Sequence, residues 1–170
     1  MKITKIDVMR LTPRGAEARK DEKAKFDWSN FAANCRPIVC RVYTDEGIYG
    51  LGSAAPLGFV TGETLDTCYL VMQDFAKAFI GFDPMDIAGA HKLMDSMIYG
   101  NGSAKCAFDL ALYDIIGKKK ELPVWRLLGG TDPVVHNDIT IGIDTPEKMQ
   151  AAAEKFVFQK GFDILKVKIG

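Results

Sequence analysis

Lys166 and Lys168 stand two apart in Gly161-Phe-Asp-Ile-Leu-Lys-Val-Lys-Ile-Gly170, a run dominated by Leu, Val and Ile and closed by glycine at both ends. That composition predicts a strand. Alternation along a strand puts Ile164, Lys166 and Lys168 on one face and Leu165, Val167 and Ile169 on the other. Residues two apart sit ~7 Å from each other. Two ammonium groups at that separation, partly desolvated, disfavour each other's charge, so one pKa is expected to fall. A lysine acts as a base only after losing its proton, and a lowered pKa makes that form available near neutrality. Lys-x-Lys is equally the pattern of a solvated strand face, and spacing alone does not separate the two readings.

The elements that would position this pair are legible just upstream. Ile139-Thr-Ile-Gly-Ile143 is a second apolar run, and a helix is predicted between the two. Thr145 is placed to cap it, Pro146 suits its first position, and Glu147 favours the positive end of its dipole. Met149, Ala152, Ala153 and Phe156 form its apolar stripe, and Gly161 ends it. The result is a strand–helix–strand unit, whose parallel strands join by a right-handed crossover. Both faces of the Lys-bearing strand read as destined for burial, as in a parallel sheet. In a (β/α) barrel, active sites are built at the carboxyl ends of such strands.

Upstream, the pattern differs. Ile3 to Leu11, Pro37 to Thr44 and Ile48 to Leu51 read as strands, the last two joined by a turn at Asp45-Glu46-Gly47. Residues 14–25 are mostly charged and small and predict a solvated loop. Phe26, Trp28 and Phe31 follow it, which suits either a tucked loop tip or a lid over a pocket. Gly52 to Gly62 reads as a second loop. Three helices come next. The first carries Leu65, Cys68, Met72, Phe75 and Phe79 and stops at Gly81. The second is capped by Asp83, with Pro84 in its first turn, and buries Ile87, His91, Met94 and Ile98. The third starts near Ser103 and carries Cys106, Ala107, Leu110, Tyr113 or Asp114, and Gly117. Three antiparallel strands and three helices make an α+β domain over residues 1–130. At Gly129-Gly130 the pattern switches to strand–helix–strand, and residues 131–170 read as a separate unit.

Composition narrows the function classes. Lys plus Arg number 22 against 22 Asp plus Glu, so no electrostatic case exists for nucleic acid or a membrane surface. No apolar run approaches the length of a membrane span, and the start lacks the apolar core of a signal peptide. Cys35, Cys40, Cys68 and Cys106 are scattered without metal or redox spacing. Reduced, mostly buried thiols in a cytoplasmic protein are expected. His91 and His136 make no ligand pattern.

Ala104-Lys-Cys-Ala-Phe-Asp-Leu-Ala-Leu-Tyr-Asp-Ile-Ile-Gly-Lys118 followed by Leu122-Pro-Val-Trp-Arg-Leu-Leu-Gly-Gly130 resembles the last capping-domain helix of the enolase superfamily. Asp138-Ile-Thr-Ile-Gly-Ile-Asp-Thr-Pro-Glu147 and Leu165-Lys-Val-Lys-Ile-Gly170 are similar to its first two barrel strands. Within it, the likeness is to the mandelate racemase/muconate lactonizing type and there to the dipeptide epimerases, supported by Val60-Thr-Gly-Glu-Thr-Leu65. The resemblance implies an α+β capping domain, a three-stranded antiparallel meander plus a helical bundle, followed by the first β-α-β unit of a TIM-type barrel. It implies abstraction of a proton next to a carboxylate, with Mg2+ stabilising the enediolate. By position, Lys168 matches the acid/base lysine, and Lys166 its neighbour, which tunes it and meets the substrate carboxylate. Thr140 matches a substrate-contacting threonine. Residues 14–35 and Gly52 to Gly62 correspond to two specificity loops. Asn30 falls near where the epimerases place an arginine, and Ser53 stands where a glutamate is usual.

The resemblance further implies a small-molecule carboxylate substrate, a dipeptide, and a homo-oligomer. Its metal carboxylates and opposing lysine lie on later barrel strands, so the metal ligands are expected beyond Gly170 and the 170 residues alone are expected to be inactive. Muconate cycloisomerisation, o-succinylbenzoate synthesis, N-acylamino acid racemisation, acid-sugar dehydration, or a non-catalytic truncated capping module are the alternatives.

Overall fold

The computed structural model describes residues 1–11 and 37–169. They fall into two compact units, Met1–Gly130 and Thr131–Gly170. The charged loop over residues 14–25, the aromatic residues Phe26, Trp28 and Phe31, and Asn30 and Cys35 lie outside the described residues.

In the first unit, β1 (Ile3–Arg10) pairs antiparallel with β2 (Ile38–Thr44), and β2 with β3 (Tyr49–Ala54), in the order β1-β2-β3. Along β2, buried Ile38, Cys40, Val42 and Thr44 alternate with half-buried Val39, Arg41 and Tyr43. This is the alternation of a sheet with one face on a core. The turn from β2 to β3 needs a positive φ at one position, and Gly47 supplies it at 77°.

Two boundaries near β3 differ from expectation. The strand runs on to Ala54, and a short helix α1 (Gly58–Thr61) occupies part of the expected Gly52–Gly62 loop. Gly52 was expected to open a loop, but it is a strand residue, as Gly50 was expected to be, and both are glycine for a packing reason. A Cβ on Gly52 would collide with the Ala107 carbonyl, its carbonyl carbon lying at 2.8 Å. One on Gly50 would collide with Ala111 and stand 2.8 Å from Ile115 Cγ1. The strand lies so close to a helix that no side chain fits between them.

Three longer helices complete the unit. α2 (Leu65–Ala78) starts on Thr64, whose hydroxyl accepts the Thr67 N–H at 3.1 Å, while the Thr67 hydroxyl accepts the Thr64 N–H at 3.0 Å. Cys68, Met72 and Phe75 are its buried stripe. α3 (Ile87–Met97) begins later than Asp83-Pro84 implied. Asp86 is its cap, accepting the Gly89 N–H at 2.8 Å, and Asp83 instead receives the Met85 N–H in a preceding turn. Its buried residues are Ala90 and Met94. His91, expected in the buried stripe, is exposed with Nε2 2.6 Å from Asp109 Oδ1.

α4 (Gly102–Lys120) is the spine, and its core differs from the predicted stripe. Ala104, Ala107, Phe108, Ala111, Leu112, Ile115 and Ile116 are buried, whereas Cys106 and Leu110 are exposed. A single-stripe reading fails because α4 packs on the sheet and on two helices at once. Phe108 meets Phe75 edge-on at 5.4 Å between centroids and Phe79 at 5.3 Å. A one-turn helix, α5 (Val124–Leu127), closes the unit. No described helix is long and apolar enough to cross a membrane.

The described cysteines are free. Burial pushes the Cys40 thiol up to about 12, and the thiol donates to the Ala107 carbonyl at 3.4 Å. Burial, with the Glu63 charge second, pushes Cys68 up to about 11. Unfolded thiols ionise around the ordinary value of 9.0 while these cannot, so folding stability is lost as pH rises from there toward 12. In a Cys35→Ser background, one thiol, Cys106, is expected to label rapidly in native protein and three after denaturation, and the urea midpoint is expected to drop between pH 8 and pH 10.5. Fast native labelling of Cys40 would contradict that placement. Gly52→Ala is expected to destabilise by about 3 kcal/mol, read as a lower urea midpoint, because the clash is with backbone.

Candidate active-site strand pair

In the second unit, β4 (Ile139–Ile141) and β5 (Leu165–Val167) pair in parallel, with Ile139 opposite Leu165, Thr140 opposite Lys166 and Ile141 opposite Val167. The Ile139 N–H donates to Ile164 O and the Lys168 N–H to Ile141 O, both at 3.1 Å. Parallel strands cannot be joined by a tight turn, and here α6 (Pro146–Glu154) makes the crossover. Pro146 occupies the first turn as expected. The cap differs, however: the Thr145 side chain makes no capping hydrogen bond, and the Asp144 carboxylate accepts the Thr145 N–H at 2.8 Å. That bond, with the Lys148 ammonium at 3.0 Å, holds the Asp144 carboxyl below its usual range.

Met149, Ala152, Ala153 and Phe156 are half-buried, as their spacing implied. The helix passes into a π-turn over Lys155–Gln159, where the Lys160 N–H reaches Lys155 O at 3.2 Å, a widening that the 3.6-residue pattern did not signal. Gly161 then turns the chain with φ of 73°, and Phe162 packs edge-on against Phe156 at 6.1 Å.

This register puts Thr140, Lys166 and Lys168 on one face of the pair and Ile139, Ile141, Leu165 and Val167 on the other. Ile141 is buried and Leu165 half-buried. The expectation of two buried faces is corrected. Thr140, Lys166 and Lys168 are exposed, and on the apolar side Val167 and Ile169 are 50% and 90% exposed. The residues of this unit do not supply the desolvation that the lysine argument needs. What the arrangement does supply is two amines and a hydroxyl on one strand-pair face, able to meet an anionic group and exchange a proton beside it.

A second feature lies in the first unit, on the segment after β3. The Glu63 side chain, 7% exposed, accepts the Ser103 N–H at 3.1 and 3.2 Å through its two oxygens and also takes the Ser103 hydroxyl. It thereby satisfies the amino end of α4 with a carboxylate. Sequence reading used Glu63 as part of a phrase and Ser103 as a helix start, without linking them; a separation of 40 positions leaves no local signal. Among the described residues, no three His, Cys, Asp or Glu side chains converge to hold a metal ion. They do not make a magnesium site.

Residues 31–129 match the family model for the mandelate racemase / muconate lactonizing enzyme, N-terminal domain. The chain belongs to this family of the enolase superfamily. It is 43% identical over 133 residues to a hydrophobic dipeptide epimerase of Enterococcus faecalis, spanning 78% of this chain and 37% of that one. It is 40% identical over 134 residues to a D-Ala-D/L-Ala epimerase of Cytophaga hutchinsonii, spanning 78% and 36%. The crystal structure of the dipeptide epimerase from Enterococcus faecalis V583, complexed with Mg and the dipeptide L-Leu-L-Tyr, superposes with a TM-score of 0.82 at 35% identity, over 100% of this chain and 46% of that one. The chain thus spans less than half the length of the relatives it matches.

Proposed function

We propose that this chain is the N-terminal portion of a magnesium-dependent epimerase that inverts a stereocentre next to the carboxylate of a dipeptide. The observation that carries the reading is the parallel β4/β5 register, which sets Thr140, Lys166 and Lys168 on a common face, in a chain whose relatives include dipeptide epimerases. In this proposal neutral Lys168 removes the proton from one face of the substrate carbon, and in the reverse direction its ammonium delivers a proton to that face. Lys166, two residues back on the same face, pairs with the substrate carboxylate. Thr140, opposite Lys166, donates its hydroxyl to a substrate oxygen. Epimerisation also requires a proton donor on the opposite face of that carbon, and Mg2+ supplies charge stabilisation for the intermediate when bound. The described residues provide neither, so both belong to the remainder of the enzyme.

The test is deuterium wash-in at the α-carbons of a small dipeptide library, using the full-length enzyme with magnesium. Exchange is expected with hydrophobic or alanyl dipeptides. Lys168→Ala is expected to lower its rate on the order of 10²- to 10⁴-fold, and Thr140→Ala is expected to raise KM more than it lowers kcat. Full exchange in the Lys168 variant would remove Lys168 from the acid/base role. The 170-residue chain by itself is expected to give no exchange, and a robust magnesium-dependent signal from it would overturn the division of labour proposed above.

A further inference from the structure

β3 is the last strand of its sheet, with no described strand on its outer side. Such an edge carries alternate N–H and C=O groups pointing away from the sheet, ready to pair with another strand. The outward groups here belong to Tyr49, Leu51 and Ser53, since the Leu51 N–H points away from β2 to a side chain. That acceptor is Asp114 Oδ2 of α4, at 2.9 Å. Two residues earlier on the same edge, the Tyr49 carbonyl accepts from Lys118 Nζ at 2.7 Å, and Lys118 is itself paired with Asp114 at 2.7 Å, one helical turn away. The Lys118 ammonium also lies 4.4 Å from the centre of the Tyr49 ring. One donor and one acceptor of the edge are therefore taken by a carboxylate and an amine that are matched to each other. The opposite edge is closed differently: at the start of β1, the Ile3 N–H donates to Phe82 O and Ile3 O accepts the Gly81 N–H, both backbone.

We infer that the Asp114–Lys118 pair guards the outer edge of β3 against strand addition, and that the partner it excludes is a second copy of this chain. The edge is self-complementary. An antiparallel two-fold through Leu51 would set its outward N–H and C=O against the same groups of the second copy and Tyr49 against the second copy's Ser53. Tyr49 and Leu51 are each 42% exposed and would add cross-strand apolar contact. With the guard in place that pairing must break both hydrogen bonds and bring together the two Asp114 carboxylates that sit at the Leu51 amides. The guard depends on α4 lying against β3, which the glycine contacts enforce.

The full chain carrying Asp114→Ala and Lys118→Ala together is compared with the unaltered chain by sedimentation over a concentration series, with circular dichroism to verify folding. At least a tenfold fall in the concentration at which the chain self-associates is expected. Adding Leu51→Pro, which deletes the outward N–H without touching the β2 ladder, is expected to reverse it. Unchanged association of the folded double variant, or association that persists with Leu51→Pro, overturns the inference. Should the double variant not fold, hydrogen exchange at the Leu51 amide in the single variant Asp114→Ala decides. At least tenfold faster exchange than in the unaltered chain supports the guard, and an unchanged rate overturns it.

Discussion

The close approach of β3 to α4 is the constraint on which the first unit depends. Gly50 and Gly52 have no side chains, so the strand backbone lies directly on the carbonyls of Ala107 and Ala111. Everything else on α4 is referred to that contact. With the helix pinned there, Phe108 is delivered to Phe75 and Phe79, and Cys40 of β2 is brought within reach of the same Ala107 carbonyl. At the helix's amino end, Glu63 ties the segment after β3 to Ser103. Toward its carboxyl end, Asp114 and Lys118 reach around to the strand edge. A single helix therefore serves as core, anchor and edge cover, which accounts for its having more buried positions than a one-sided stripe allows.

The second unit works on a different rule. Its two strands are parallel, so the turn between them is replaced by a helix, and the register is set by which apolar residues α6 covers. Burying Ile141 fixes Thr140 and Gly142 on the other face, and pairing with β5 then aligns Lys166 with Thr140. A slip of one residue would have turned both lysines into the apolar layer. The chemistry proposed for Lys168 thus rests on a packing choice made by isoleucines. Within this unit the lysine face is exposed.

Much of this was legible in the chain itself. Alternation over residues 38–44, the turn at Gly47, the stripe from Leu65 to Phe79 and the Pro146 start of α6 follow from local periodicity and backbone preference, which act over a few residues. The same is true of the alternation that groups Lys166 with Lys168. Some misreadings were local, as at the Asp86 and Asp144 caps, and others fell where a distant segment intervened. Gly52 looked like a loop because its partner, Ala107, is 55 residues away; His91 and Leu110 looked buried because spacing does not tell which side of a helix faces a neighbour.

What the sequence determined by itself is the longer elements and the residue types on each strand face, because hydrophobic period and φ restriction are properties of short stretches. The tertiary structure alone decided that β3 is a strand held by absent side chains, that Glu63 caps a remote helix, that Asp114 and Lys118 occupy a sheet edge, and that Thr140 stands opposite Lys166. Each of those is a contact between segments far apart in the chain, and its existence depends on how whole elements pack rather than on what any one of them prefers.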